Sequence, residues 1–272
     1  MEFLEYDFIQ RGLIAGILIA LSTALIGVFL ILRRFAFLGA GLSHSAFAGI
    51  ALGFLLNMDI HLSTVLFTLF IANLVEFLTR TKKVPGDTAV AVIFSSGMAV
   101  AVIILGVVKG FGENLFSYLF GNILMVDDKD ILYSLGVFLL TLLFLLFFYK
   151  KLLLLTFSEE IARVKGVNIT LINHLFISLT AMVIVASIKA VGVILASSMV
   201  VIPAMTGLIL ANSFLKSLLF SSFASVFSVI LGIYISFSYD LPPSGTIVGI
   251  SLLLFILSFL LRRVSLNMDK YL

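Results

Sequence analysis

Residues 131–149 read ILYSLGVFLLTLLFLLFFY, with Asp130 before them and Lys150 after them. The run has no charged side chain and consists mostly of Leu, Phe and other apolar residues. An α-helix needs about 20 predominantly apolar residues to cross the hydrocarbon core of a bilayer. In lipid, every backbone N–H and C=O group must find a partner inside the protein, and a helix provides one for nearly all of them. The run therefore predicts a transmembrane helix.

The composition of the whole chain agrees with this prediction. The 272 residues are 62% hydrophobic and 11% charged, whereas a soluble domain has about 25% charged residues. A mean hydropathy of +1.27 leaves too little polar surface to cover a water-soluble globule. The net charge of +3 comes from residues scattered between apolar runs, so we interpret them as topology signals and not as a nucleic-acid surface. The absence of cysteine excludes disulfides, thiolate metal sites and Cys nucleophiles.

We predict an all-α polytopic membrane protein with nine transmembrane helices, although the pattern also allows eight or ten. The sixth and seventh segments are nearly continuous in sequence. The predicted spans lie near residues 8–32, 37–56, 62–78, 88–108, 131–149, 171–188, 190–211, 217–238 and 245–261.

The placement of basic residues predicts the orientation. Cytoplasmic loops of membrane proteins carry an excess of Lys and Arg. If the N-terminus is outside and the nine spans alternate, only four of the 17 basic residues lie outside: Arg11, Lys109, Lys129 and Lys189. We therefore expect the N-terminus outside and the C-terminus in the cytoplasm of a multi-pass protein in the cell membrane.

The chain has no room for an ATPase domain. Its longest stretches outside the spans are about residues 109–130 and 150–170, and it contains no GxxxxGK[ST] phosphate-binding motif. We predict a single transmembrane domain over residues 1–272, with a cytoplasmic segment near 156–168. We expect no enzymatic activity in this chain, and any ATP hydrolysis would belong to a separate chain.

The second predicted span contains a stripe of small residues. Gly41, Ser45, Gly49 and Gly53 recur every four residues, so a helix places them on one face, where another backbone can approach closely. Tight packing alone is the simplest interpretation of this stripe.

His44 lies beside that stripe, well inside an apolar span. An ionisable residue at membrane depth is costly, so its side chain should face a partner or a polar cavity. Neutral imidazole is also the commonest metal ligand among side chains. A histidine hydrogen-bonded to a neighbouring helix and a metal ligand explain this position equally well.

Three other positions have simpler explanations. His61 and Asp59 fall in an outer loop, where a solvated pair is expected more often than a metal entry contact. Glu76 lies four residues before Arg80, a favourable spacing for an ion pair on a helix. Pro203 must interrupt the backbone hydrogen bonds of the seventh span, which indicates either a packed kink or a cavity lining.

A short charged segment lies between the fifth and sixth predicted spans. It reads SEEIARVKGV at residues 158–167 and contains Gly166, a typical helix stop. The pattern predicts a short surface helix, which is either a plain connector or a coupling helix that docks on a cytosolic partner.

Several motifs, taken in order, resemble the metal-transporting permeases of ABC importers, a family that carries zinc, manganese and sometimes iron. The pattern GAGLSHS at residues 39–45 is similar to the family's Gly-Asp-x-Leu-Ser-His-Ala, and LFGNIL at 119–124 is similar to its Leu-Phe-Gly-Ser-Ile-Leu. Further similar blocks are GDTA at 86–89 with IFSSGMA at 93–99, EIARVKGV at 160–167, KAVGVIL at 189–195 with IPA at 202–204, and DLPPSG at 240–245.

The resemblance implies a function and a set of residues. It implies the membrane-spanning permease subunit of an ATP-driven importer for a divalent metal ion, zinc or manganese, with no cofactor of its own. The implied partners are a second copy of the chain, a cytoplasmic ATPase subunit and an extracytoplasmic metal-binding protein. His44 would be a transient metal ligand. Gly41, Ser43, Ser45, Gly49 and Pro203 would line or pack the pathway, and Glu159, Glu160, Ala162, Arg163 and Gly166 would couple it to the ATPase.

One position departs from the family pattern. The family's Asp, four residues before the His, is Ala40 here. A carboxylate at that position would favour manganese, so its absence favours zinc. The alternatives that stay open are a permease for a metal chelate or vitamin, an ion-coupled secondary transporter and an intramembrane enzyme. The last two would need more buried ionisable groups than the spans contain.

Overall fold

A computed structural model describes residues 5–80, 84–108 and 117–268. These residues form helices and connecting loops, with no β-strand among them. The position of Lys109, which we predict to lie outside, is not among the described residues. In chain order the helices are α1 (Asp7–Leu32), α2 (Leu38–Leu56), α3 (Ile60–Arg80), α4 (Gly86–Val107), α5 (Asp128–Phe157), α6 (Glu159–Val164), α7 (Ile169–Leu210), α8 (Phe214–Tyr239) and α9 (Pro243–Met268), with a 3₁₀ turn at Ile123–Met125.

Side chains at the helix starts explain several of these boundaries. Asp127 accepts a hydrogen bond from the backbone N–H of Asp130, whose side chain accepts one from the N–H of Asp127, and this reciprocal pair starts α5. Ser158 caps α6 and Asn168 caps α7 more simply: in each case one side-chain oxygen accepts a hydrogen bond from a backbone N–H of the first turn. These polar residues satisfy the N–H groups that the first turn of a helix leaves free.

Eight of these helices are long and apolar enough to cross a membrane, which confirms the all-α, polytopic prediction. Seven of them correspond one to one to predicted spans. The eighth, α7, covers both the sixth and the seventh predicted span in 42 residues. A straight helix of that length would extend ~63 Å, about twice the thickness of the hydrocarbon core.

The backbone of α7 reverses direction at Gly192, whose φ of 81° and ψ of 164° are not helical. A Cβ atom on Gly39 would lie 3.6 Å from both Ile184 Cδ1 and Ser197 Cβ, although thirteen residues of straight helix would separate those two residues by ~20 Å. The first limb (169–191) and the second limb (193–210) therefore lie side by side. The described residues would cross the membrane nine times if each limb crosses separately and eight times if α7 is a single crossing; the exact count and the orientation stay predictions.

Leu119, Phe120 and Gly121 pass directly across this reversal. A Cβ atom on Gly192 would lie 2.3 Å from the carbonyl oxygen of Leu119, and one on Gly121 would lie 2.2 Å from the backbone nitrogen of Gly192. The N–H of Asn122 donates to the carbonyl of Lys189 at 3.1 Å. The LFGNIL motif thus packs against the reversal and satisfies a carbonyl that the broken helix leaves free.

The helices differ in how much of their surface lies inside the protein. The most apolar windows of α1, α2 and α7 are 67%, 72% and 78% buried, but those of α4 and α5 are only 22% buried. Helices α1, α2 and α7 therefore form the centre of the fold. The outer faces of α4 and α5 must contact lipid or another protein, because they are apolar.

Candidate functional site

The small-residue stripe of α2 brings two neighbouring helices close. A Cβ atom on Gly49 would lie 2.9 Å from Thr64 Cα in α3, and the hydroxyl of Ser63 donates to the Gly49 carbonyl at 2.8 Å. On the other side, a Cβ on Gly97 of α4 would lie 2.9 Å from Ser45 Cα. Such short distances are possible only where a side chain is missing. The backbone of α2 is thus held between α3 and α4.

The two serines that flank His44 are buried within this packing. Ser43 donates its hydroxyl to the Gly39 carbonyl at 2.7 Å, and Ser45 donates to the Gly41 carbonyl at 2.9 Å. Both residues are fully shielded from solvent. Their hydroxyl hydrogens are used within α2, so they act in helix packing in this conformation.

His44 has an environment unlike that of a hydrogen-bonded structural histidine. Its ring lies against Phe94 of α4, with the ring centres 4.1 Å apart. Its Nδ1 atom is buried and has no hydrogen-bond partner among the described residues. A buried, unpaired ring nitrogen costs free energy unless a ligand occupies it at some stage. The structure therefore does not provide the neighbouring hydrogen bond that was one of the two interpretations of His44.

An apolar cavity of about 480 Å³ lies between α2 and α4, one turn away from His44. Ala40 lines it, at the position where the resembling family has an aspartate. The lining contains no carboxylate: its other residues are Phe37, Val90, Ala91, Phe94 and Ser95. Within the described part of the chain, no cluster of three or more His, Asp or Glu side chains has the geometry to hold a metal ion.

A second cavity, of about 380 Å³, opens at the predicted outer side. His61 and Asp59 line it, but so do Asp127, Asp130 and Lys189. The ammonium of Lys189 lies 2.5 Å from Asp130 Oδ2 and 3.8 Å from Asp127 Oδ2. This cavity therefore contains its own cation. In the sequence, His61 and Asp59 look like an isolated pair in a loop. Asp127, Asp130 and Lys189 come from distant parts of the chain and join them only in the folded protein.

The capping interaction also affects the electrostatics of this outer cavity. The backbone N–H of Asp130, and secondarily the Lys189 ammonium, stabilise the ionised carboxylate of Asp127 against the opposing effect of burial. Together these contacts lower the pKa of Asp127. The carboxylate thus stays ionised beside Lys189 at neutral pH.

Pro203 lies apart from both cavities. It is buried in the second limb of α7, and it is not among the residues that line either cavity. The next residue, Ala204, packs against α1, where a Cβ on Gly27 would lie 3.0 Å from Ala204 Cβ. These contacts favour the packed-kink interpretation for Pro203 over a cavity lining.

The charged segment 158–167 contains the short helix α6. Glu159 and Arg163 form an ion pair at 3.1 Å on its exposed surface. Ala162 is fully buried and its carbonyl accepts a hydrogen bond from the N–H of Val167, so it anchors the segment and cannot contact a partner in this conformation. Gly166 has a φ of 71° at the helix end.

Two exposed apolar side chains on α6 were not singled out from the sequence. Ile161 is 52% exposed and Val164 is 88% exposed. Apolar residues on a short, otherwise charged helix form a small surface suited to a protein partner. The exposure could be recognised only after the structure showed that Ala162 faces inward.

Residues 5–262 match the family described as the ABC 3 transport family. The chain belongs to the ABC 3 transport family. This membership confirms the family that the motifs resemble, and the match covers nearly the whole chain, including His44 and α6.

Relatives within this family are named for two metals. The chain is 31% identical over 258 residues to the manganese transport system membrane protein MntC of Halalkalibacterium halodurans, covering 95% of this chain and 88% of that protein. It is 33% identical over 259 residues to the high-affinity zinc uptake system membrane protein ZnuB of Haemophilus influenzae, covering 95% and 99%. The family alone does not distinguish the two metals.

The fold is also found in a solved structure. A chain of PsaBC from Streptococcus pneumoniae in complex with Fab superposes with a TM-score of 0.85 at 32% identity, covering 95% of this chain and 94% of that one. The helical arrangement described above is therefore an architecture of this family.

Proposed function

We propose that this ABC 3 family protein is the membrane-spanning permease subunit of an ATP-driven importer for a divalent metal ion, zinc or manganese. The observation that carries the proposal is full-length similarity to permeases named for manganese and for zinc. The arrangement around His44 supports it, because a buried imidazole nitrogen without a partner is available to a passing metal ion.

A second copy of the chain covers the face formed by α2 and α4. This face carries Ser95 and the exposed apolar residues Phe37 and Phe94, and the His44 ring lies against Phe94. Lipid would not solvate the polar groups, whereas the same face of a second copy would place two His44 side chains near a shared axis. The pathway would then run between the two copies, and α4 would be covered.

The metal ion in this pathway is loosely held. One imidazole per copy, with no carboxylate in the cavity lining, does not complete a tight coordination shell. Transport requires this property, since an ion bound too tightly would not leave. Imidazole suits zinc, whereas manganese prefers oxygen ligands. Ala40 therefore favours zinc as the transported ion.

The energy comes from a separate ATPase subunit that docks at α6. Ile161 and Val164 provide the exposed apolar contacts, and Glu159, Glu160 and Arg163 surround them with charge. A metal-binding protein outside the membrane would deliver the ion to the opposite side of the dimer.

Reconstitution tests this function. The chain is placed in proteoliposomes with its ATPase subunit and loaded metal-binding protein, and uptake of radiolabelled zinc and manganese is measured with and without ATP. We expect ATP-dependent accumulation of zinc above that of manganese. An ATPase subunit inactivated at its catalytic glutamate is the control. Failure to accumulate either metal, with an assembled and ATP-hydrolysing complex, would show that the proposal is wrong.

A further inference from the structure

A cluster of buried and half-buried polar side chains lies near the predicted cytoplasmic end of the protein. It consists of Arg33, just after α1, Asn73 and Glu76 in α3, and Asn173 and His174 in the first limb of α7. We call these five residues the inner network. From the sequence, Glu76 was expected to pair with Arg80, but in the structure Arg80 instead donates to the hydroxyl of Thr170 at 2.7 Å.

Hydrogen bonds of the inner network join three helices. Arg33 Nη2 donates to Asn173 Oδ1 at 2.5 Å. Asn73 Nδ2 donates to the hydroxyl of Ser178 at 3.0 Å, and Asn73 Oδ1 lies 2.8 Å from His174 Nδ1. Because Asn73 Oδ1 can only accept, His174 Nδ1 carries the hydrogen in this bond. The first turns of α7 are thus attached to α1 and α3 through side chains.

Two atoms of opposite charge in the network lack hydrogen-bond partners. Arg33 Nη1 and Glu76 Oε1 are both buried and unpaired, and Glu76 is only 3% exposed. Arg33 and Glu76 attract each other, yet the described residues contain no salt bridge between them. Asn173 bonds to Arg33 and also interacts with the Glu76 carboxylate. Its amide therefore lies between the two charges and takes the place of a direct pair.

Arg33 is also attracted to an acidic residue of the charged segment 158–167. Its guanidinium lies over the ring of Phe176, with Cζ 5.2 Å from the ring centre. Burial lowers the pKa of Arg33, and the charges of Glu76 and Glu159 oppose this effect. Glu76 belongs to α3 and Glu159 to α6. The same cation is thus attracted by an acid on each of these two helices.

A direct pair between Arg33 and Glu76 would remove an energetic cost that the present arrangement carries. Buried charged groups without partners are costly, and a direct hydrogen bond between Arg33 and Glu76 would satisfy both atoms. It forms if Asn173 withdraws. Asn173 lies in the first limb of α7, and residues 165–168 connect the end of α6 to the start of that limb. A displacement of α6 therefore acts directly on the helix that carries this amide.

The inner network is also connected to the proposed pathway, through α3 and α2. Glu76 is in α3, and α3 contacts α2 through Ser63, Thr64 and Gly49. Because the two backbones approach closely at Gly49, we expect a shift of α3 to displace α2 as well. A shift of α3 therefore changes the position of His44.

We propose that Asn173 is a wedge between Arg33 and Glu76, and that its withdrawal, when a partner displaces α6, closes the Arg33–Glu76 pair and moves α3 together with α2. Arg33, Glu76 and Asn173 are then positioning residues for the coupling of α6 to the pathway. This inference rests on the proposed function in one respect only, namely that a partner subunit docks at α6 and displaces it.

Distance measurements on the full-length chain in lipid nanodiscs test this wedge. The chain has no cysteine, so Phe77→Cys in α3 and Leu171→Cys in α7, both exposed, accept spin labels at two defined positions. We expect Asn173→Ala to populate a second interspin distance, because the pair can close. The double variant Asn173→Ala/Glu76→Leu should return to the wild-type distribution, since residue 76 then has no acceptor for Arg33.

Two further variants complete the experiment. Asn173→Asp keeps the size of the wedge and pairs with Arg33, so we expect the wild-type distance alone. Thr170→Ala removes the hydrogen bond with Arg80 one turn away and is the matched control, with no expected change. An unchanged distance distribution in Asn173→Ala, or a second distance that persists with Glu76→Leu, would overturn the proposal. If Asn173→Ala does not fold, Asn173→Asp decides the question. A second interspin distance in Asn173→Asp would overturn the proposal. The absence of that second distance, together with lowered zinc uptake, supports the proposal.

Transport provides an independent readout. In proteoliposomes with the partner subunits, Asn173→Ala and Asn173→Asp should each lower uptake of labelled zinc by about fivefold or more, in the range typical of couplings between sites. ATP hydrolysis should continue. If Asn173→Ala shifts the interspin distance but no form of the protein transports either metal, the proposed function is contradicted and the wedge is still supported.

Discussion

At the scale of single residues, His44 has the clearest predicted role. It is the only histidine with a buried, unpaired ring nitrogen among the described residues, and it lies on the face that we assign to the pathway. We expect His44→Ala to lower zinc uptake by about tenfold or more, the range seen when groups that support a metal site are lost. Uptake of radiolabelled zinc into proteoliposomes measures the effect.

Ser96→Ala is the matched control for this substitution. Ser96 lies in α4 and donates its hydroxyl to the backbone carbonyl of Ile93 in its own helix, so its removal should leave uptake unchanged. Equal uptake by His44→Ala and the wild type, with equal amounts of assembled protein, would exclude His44 from the pathway.

A second residue-scale prediction concerns metal choice. Ala40 lines the cavity one turn before His44, so Ala40→Asp would place a carboxylate and an imidazole on the same helical face. We expect the ratio of manganese to zinc uptake to rise, because manganese favours oxygen ligands. Competition between the two labelled metals measures the ratio. Ala40→Asn has nearly the same shape without the charge, and a rise of equal size in that variant would refute the explanation by charge.

At the scale of elements, the reversal in α7 depends on Gly192. A side chain there would have to adopt a φ of 81° and would meet the Leu119 carbonyl at 2.3 Å. We expect Gly192→Ala to destabilise the fold by at least ~2 kcal/mol through strain and overpacking. Thermal unfolding in detergent, followed by loss of monodisperse protein, measures the effect.

Gly249→Ala provides the comparison for that prediction. Gly249 lies inside α9 with nothing within 4 Å of an added Cβ, so alanine should be neutral or stabilise the helix by about 0.5–1 kcal/mol. If both variants unfold at the same temperature as the wild type, the reversal does not depend on glycine.

Helix α6 is predicted to contact the ATPase through its apolar side chains. We expect Ile161→Asp and Val164→Asp to reduce co-purification of the ATPase subunit, because each places a charge in a contact that excludes water. Lys216→Ser is the control, since Lys216 is exposed in the first turn of α8, at an end of the helix that we also predict to be cytoplasmic. Undiminished co-purification of the ATPase with both aspartate variants would show that α6 is not its docking site.

At the scale of the whole molecule, the proposed dimer makes a prediction about cross-linking. Phe37, just before α2, lines the cavity on the face that we assign to the interface and is 71% exposed. Leu146 is 75% exposed on α5, a helix that packs against α1 and α7. In this cysteine-free chain, Phe37→Cys should form a covalent dimer with a short bifunctional thiol reagent, and Leu146→Cys should not. The products are separated by denaturing gel electrophoresis.

The opposite pattern would place the interface on α5. Cross-linking of both variants to the same extent would indicate random collision in the membrane, and neither result is compatible with a pathway between two α2–α4 faces.

The class of protein was readable from the amino-acid sequence because lipid imposes a one-dimensional constraint. A helix that crosses a bilayer must be apolar over its whole length, so the run at 131–149 and its counterparts predict the spans without any knowledge of packing. The ordered motifs likewise identified the family, and His44 was conspicuous because a lone ionisable residue at membrane depth is costly.

Contacts between distant residues could not be predicted in this way. The reversal at Gly192, its packing against Leu119 and the wedge formed by Asn173 each join parts of the chain separated by tens of residues. The burial of Ala162 and the ion pairs of Lys189 in the outer cavity belong to the same class. Hydropathy records how each residue interacts with lipid or water, whereas these features depend on which side chains meet in three dimensions, and that follows from the packing of the helices.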